Sequence, residues 1–110
     1  MNLNLTLTAK WFWMIYNRNK LDEYREIKPY WRRRLMREHE LGGHESLRGV
    51  FKHYDTITFT NGYGAHRPSM VVECKGISIG TGNPEWGAPA WPVFKLELGD
   101  IISSKNIPIQ

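Results

Sequence analysis

Short stretches in which apolar and polar residues alternate recur along the chain and limit the folds open to it. Leu3, Leu5 and Leu7 mark the first stretch, and three more cover residues 54–60, 70–79 and 93–98, with Gly76 as a predicted bulge. Alternation with a period of two is typical of strands that bury one face. Short strands in this number leave exposed sheet edges unless the sheet curls, so the pattern favours a small barrel.

Two helices are predicted near the N-terminus. The first begins at Ala9 and carries a stripe of large apolar side chains from Trp11 to Tyr16, which we interpret as core packing. The second is predicted over residues 30–40, with Pro29 suited to its start and Gly42-Gly43 to its end. Together with a weakly alternating strand at 21–27, these elements predict an α+β domain of about five strands.

The chain length and its cysteine content bound the class of protein. The 110 residues are enough for one domain, predicted to span residues 1–102, with residues 103–110 as a C-terminal tail. No apolar run of about 18 residues occurs, and the N-terminus lacks a signal-peptide pattern, so we expect no membrane partner. Cys74 is the single cysteine, which fits a cytoplasmic protein and a buried thiol.

The positive charge of the chain is concentrated in one segment. Residues 28–37 contain five basic residues and no acid, which leaves ten basic and eleven acidic residues elsewhere. Arginines beside aromatic residues suit a polyanion whose bases stack, whereas the simpler interpretation is a solvated helix face. The candidate contacts in this segment are Lys28, Tyr30, Trp31, Arg32, Arg33, Arg34 and Arg37.

Three charges of alternating sign precede that segment and form a second candidate group. On a strand, Glu23 and Arg25 project from the same face. Glu23 could accept a proton or a hydrogen bond, Arg25 could hold Glu23 or bind a phosphate, and Lys20 could contact phosphate or act as a base if desolvated. The alternative is a set of surface ion pairs at an exposed strand edge.

These residues also carry a family resemblance. Lys20, Glu23 and Arg25 fill the K, E and R positions of the signature G-x-K-x-x-E-x-R, and the chain resembles the ASCH domain family of PUA-like barrels over roughly residues 3–100. Arg18 stands where the signature has glycine. The chain therefore lacks the residue that usually forms the tight turn at this position. A leading strand, a helix with Trp11 and a closing strand 94–99 fit the same order of elements.

The resemblance implies a PUA-like barrel whose cleft, lined by this motif, binds RNA or a nucleotide. Some members of the family resemble small enzymes that hydrolyse acylated cytidine nucleosides or cleave RNA. A hydrolase using Lys20 and Glu23 is therefore the alternative hypothesis, although the amidohydrolase branch has Thr where this chain has Glu23. The resemblance is compatible both with a binding protein and with an enzyme.

The remaining motifs are weaker. Asn61 and Tyr63 lie in a turn that could border the cleft, while Trp86 and Trp91 in a Gly/Pro-rich loop allow a third hypothesis, a protein-interaction surface. His39 and His44 lack the spacing of helical zinc ligands, so neither a metal nor another cofactor is predicted.

Overall fold

The structure is a computed structural model that describes residues 1–37 and 51–108. Within these ranges it contains five strands, two α-helices and a short 3₁₀ turn, and both helices lie near the N-terminus as predicted. The α+β class is thereby confirmed. In chain order the elements are β1 (Asn2–Leu7), α1 (Ala9–Tyr16), β2 (Asp22–Arg25), α2 (Pro29–Leu35), β3 (Thr56–Asn61), β4 (Ser69–Gly80), the 3₁₀ turn (Pro84–Trp86) and β5 (Val93–Lys105).

The five strands form one sheet in the order β1-β3-β4-β5-β2. β1 pairs with β3 in parallel, and the other neighbouring pairs are antiparallel. The register between β4 and β5 shifts three times between Val71 and Gly76, which confirms the irregularity expected at Gly76. Such bulges bend and twist long strands, so the sheet curls into a half-barrel with β1 and β2 at its two edges, consistent with a small PUA-like barrel.

The core follows from the alternation in the strands and from one face of α1. The three leucines of β1 and both Ile57 and Phe59 of β3 are buried, while the residues between them are less so. α1 covers this surface with Phe12 and Ile15, which are fully buried. Burial of such a side chain contributes about 1.5–3 kcal/mol, and Trp13 and Tyr16 of α1 pack against the same core.

Two segments differ from the predicted elements. α2 ends at Leu35 rather than at residue 40, because Met36 adopts an extended conformation and forms an isolated β-bridge with Phe51. β5 runs three residues into the predicted tail, since Ser103, Ser104 and Lys105 pair with the first residues of β4. The predicted stop at Gly42-Gly43 and the histidines His39 and His44 lie outside the described residues.

No helix in residues 1–37 or 51–108 has both the length and the apolar content required to cross a bilayer.

Candidate functional site

The turn between α1 and β2 places the charged motif. α1 ends in a Schellman motif, in which the N–H of Arg18 donates to Ile15 O and the N–H of Asn19 donates to Met14 O. Arg18 has φ +64°, the left-handed conformation that normally favours glycine. The tight turn is therefore formed with an arginine at this position. The Arg18 guanidinium donates to Gly99 O at 2.7 Å, which offsets part of the conformational cost of about 1–2 kcal/mol.

Lys20 lies directly after this turn and is almost completely buried, with 2% of its surface exposed. Its Nζ is 3.3 Å from Glu23 Oε1 and donates to Trp86 O in the 3₁₀ turn. The Nζ also lies 4.6 Å from the ring centroid of Trp11 and 5.0 Å from that of Tyr24. Desolvation lowers the pKa of Lys20, although the carboxylate of Glu23 acts in the opposite direction.

Glu23 links two cations beneath the surface. One carboxylate oxygen faces Lys20, and the other accepts from Arg25 Nη2 at 2.6 Å. Glu23 is also buried, whereas 18% of the Arg25 side chain is exposed. The predicted placement of Glu23 and Arg25 on the same side of β2 is confirmed by this contact. The three charges form one network in which Arg25 is the most accessible member.

Two arginines from different elements reach the edge of β1. Arg25 Nη2 donates to Thr6 O at 3.3 Å, and Arg34 Nη2 donates to Asn4 O at 3.2 Å. The guanidinium carbon of Arg25 lies 4.7 Å from the ring centroid of Trp31, and that of Arg34 lies 5.4 Å from the same centroid. These contacts satisfy carbonyls that have no strand partner on that side and hold both guanidinium groups beside α2.

A cleft with a volume of about 290 Å³ opens between β1, α2 and the loop after β3. Residues 4–6 of β1 form one wall, and the remaining lining residues are Arg25, Tyr30, Trp31, Arg34 and Tyr63. We call this space the arginine cleft. Tyr63 is 87% exposed and Tyr30 is 50% exposed, so two rings are open to a ligand beside two guanidinium groups.

A second cleft, of about 390 Å³, lies between β2 and the loop before β5. We call it the tryptophan cleft, because Trp91 in its wall is 65% exposed. The lining residues are Tyr24, Arg25, Glu26, Gly87, Pro89, Trp91 and Val93. Arg25 therefore lines both clefts.

The structure brings together only part of the predicted site. Of the motif residues, Arg25 lines both clefts, whereas Lys20 and Glu23 line neither because their side chains are buried in the ion network. Of the three motif residues, the structure thus places only Arg25 at these two clefts. Asn61 is also buried and its carbonyl accepts from Arg67 Nε at 2.7 Å, so Tyr63 alone of that pair lines the arginine cleft.

The basic residues in and beside α2 also divide into those that line the arginine cleft and those that do not. Arg34 lines the arginine cleft with Tyr30 and Trp31. Lys28, at the start of the helix, is half-exposed, and its Nζ lies 3.8 Å from Glu26 Oε2. The other three do not line the arginine cleft: Arg33 and Arg37 are exposed, and Arg32 is half-buried.

Several contributors were not found by sequence reasoning. The rings of Trp11 and Tyr24 enclose Lys20, and Trp86 supplies a carbonyl from far along the chain. The sequence analysis interprets Trp11 as core packing and Trp86 as part of a possible interaction loop, and neither pattern connects these residues to Lys20. The separation of 66 residues between Lys20 and Trp86 explains why no local pattern reveals the contact.

Comparison of this chain with protein-family models, curated proteins and solved structures gives no match.

Proposed function

We propose that the protein binds RNA or a nucleotide at the arginine cleft. The observation that carries the proposal is the lining of this cleft, where Arg25 and Arg34 lie beside the rings of Tyr30 and Tyr63. Guanidinium groups bind phosphate oxygens in a forked geometry, and open aromatic rings stack on bases of any sequence. Each stacked base contributes about 1–3 kcal/mol, which is enough for useful affinity when combined with phosphate contacts.

The buried network gives this cleft a fixed cation. Glu23 holds Arg25 through the 2.6 Å ion pair, and Lys20 balances the second oxygen of the carboxylate. The face of Trp31 and the carbonyl of Thr6 restrain the same guanidinium from two other directions. A cation restrained in this way loses little conformational freedom when a phosphate binds. In this proposal Lys20 and Glu23 position Arg25 and do not touch the ligand.

The test is a titration of the protein with a fluorescein-labelled RNA of eight nucleotides at 50 and 200 mM salt, read by anisotropy. Tyr63→Ala removes the most exposed ring and should weaken binding about 5- to 150-fold. Lys28→Glu combined with Arg33→Glu should lower the slope of log K against log salt by about 0.7 for each phosphate contact that is lost.

A matched control separates the charges of α2, beside the arginine cleft, from the general field of the protein. Lys75→Glu combined with Lys105→Glu changes the net charge by the same amount at exposed positions on β4 and β5. This pair should leave the affinity almost unchanged. Equal losses of affinity from both pairs would show that the charges of α2 have no special role. Unchanged affinity with Tyr63→Ala, or no binding by the unchanged protein, would refute the assignment of the site.

A second candidate function is hydrolysis of a nucleoside or RNA with Lys20 and Glu23 as an acid–base pair. The lowered pKa of the buried Lys20 favours it, because desolvated lysines serve as bases and nucleophiles. The ammonium is enclosed by Trp86 O and two rings, so a substrate would need the 3₁₀ turn to move. Incubation with a panel of nucleosides, acylated cytidine included, and with RNA, followed by mass spectrometry, tests this alternative. Product formation that persists in Lys20→Met would exclude Lys20 from the chemistry.

A further inference from the structure

We infer that the ligand is a single-stranded oligonucleotide of at least two residues that occupies both clefts, with a linking phosphate at Arg25. This inference rests on the proposed nucleic-acid function and specifies which ligand the site takes. It follows from one placement, namely that Arg25 is part of the lining of both the arginine cleft and the tryptophan cleft.

The size of each cleft limits what it holds. The arginine cleft measures about 290 Å³ and the tryptophan cleft about 390 Å³. Both lie near the lower end of the range of about 300–1,000 Å³ that is typical of small-molecule sites. Each cleft therefore accommodates about one nucleotide, and a ligand that fills both requires two.

Each cleft also offers an open ring on which a base can stack. Tyr63 in the arginine cleft is 87% exposed, and Trp91 in the tryptophan cleft is 65% exposed. Neither ring is part of the buried core. Two exposed rings in clefts that share a restrained arginine match the alternation of base, phosphate and base along a single strand.

The distribution of acidic groups gives the two clefts different roles. No acidic residue occurs among the described residues that line the arginine cleft, whereas Glu26 lines the tryptophan cleft. A carboxylate repels phosphate and accepts hydrogen bonds from the amino groups of bases. The tryptophan cleft thus takes a base, and the phosphates lie toward Arg25 and Arg34.

The fixed position of Arg25 suits a linking phosphate better than a mobile side chain would. Its guanidinium is held by Glu23, by Thr6 O and by the face of Trp31, yet 18% of the side chain stays exposed. A phosphodiester that links nucleotides in the two clefts would lie at this shared side chain. A mononucleotide fills one cleft and leaves the second ring unused.

The experiment is a competition assay against the labelled RNA of eight nucleotides with unlabelled adenosine monophosphate, a dinucleotide, a tetranucleotide and an octanucleotide. Each competitor except the monophosphate is tested as RNA and as DNA. Affinity should rise by tenfold or more from the mononucleotide to the dinucleotide or tetranucleotide and change little beyond that. Trp91→Ala and Tyr63→Ala should each weaken the tetranucleotide about 5- to 150-fold, and their effects on log K should add.

The control variant is Ile102→Ala, which removes a 60% exposed apolar side chain outside both clefts. It should not change any affinity. A tetranucleotide that binds no more tightly than the mononucleotide would overturn the two-cleft assignment and leave the proposed function intact. Loss of binding with Tyr63→Ala but not with Trp91→Ala would also overturn the two-cleft assignment and leave the proposed function intact. Absence of binding by every competitor would refute both the two-cleft assignment and the proposed function. Equal affinities for RNA and DNA would show that the protein does not recognise the 2′-hydroxyl.

Discussion

Replacement of Glu23 by glutamine tests the buried network most directly. Glu23→Gln preserves shape and removes the negative charge that pairs with both Lys20 and Arg25. Lys20 then becomes a buried cation that keeps only the weaker attraction of Asp22, while 18% of the Arg25 side chain is exposed to water. The main cost of the substitution is therefore expected at Lys20.

The size of the effect follows from the geometry. At a separation of 3.3 Å and an effective dielectric constant of about 20, the attraction between Lys20 and Glu23 is about 5 kcal/mol. Desolvation offsets part of this attraction, and removal of one partner from a buried pair costs about 3–5 kcal/mol. Lys20→Met should cost less than about 1.5 kcal/mol, because Glu23 keeps its 2.6 Å pair with Arg25. In the double variant, Lys20→Met should recover at least about 2 kcal/mol of the loss caused by Glu23→Gln.

The assay is urea unfolding at pH 7 followed by tryptophan fluorescence. With a slope of about 1.5 kcal/mol per molar urea, Glu23→Gln should lower the midpoint by about 2–3 M. A variant that is unfolded without urea sets a lower limit equal to the stability of the unchanged protein, and the double variant then supplies the second measurement. The reasoning is refuted if Lys20→Met costs more than Glu23→Gln, or if the double variant shows no recovery.

Three further predictions concern the turn, the pH dependence and the thiol. Arg18→Gly should be more stable than Arg18→Ala by about 1 kcal/mol in urea unfolding, because both lose the bond to Gly99 O but only glycine relieves the positive φ; the reverse order would contradict the left-handed turn. Lys20 has a lowered pKa in the folded chain, so between that pKa and the ordinary value of 10.5 the unfolded chain binds more protons. The stability of the unchanged protein should therefore rise relative to Lys20→Met as the pH increases toward 10.5, and parallel pH curves would contradict this. Burial raises the pKa of the Cys74 thiol, so a thiol reagent at pH 8 should modify it at least tenfold more slowly in the folded than in the urea-unfolded protein, and equal rates would show that it is accessible.

The elements of the fold could be predicted wherever a local pattern of apolar residues is enough to define them. The alternating leucines of β1 and the apolar stripe of α1 depend on periodicity, which the backbone geometry of each element imposes without reference to the rest of the chain. The early end of α2 could not be predicted in this way. Met36 leaves the helix to form a bridge with Phe51, and this partner lies 15 residues further along the chain.

The candidate site also has a part that the sequence predicts and a part that depends on the tertiary structure. The sequence by itself determined the concentration of charge in residues 28–37, the motif residues Lys20, Glu23 and Arg25, and the placement of the last two on the same side of a strand. Only the tertiary structure decided that Lys20 and Glu23 are buried while Arg25 reaches two clefts. That outcome depends on Trp86 and Thr6, which approach the motif from the opposite end of the chain and from the far edge of the sheet. The physical reason is that burial and charge pairing depend on neighbours in space, which no local periodicity encodes.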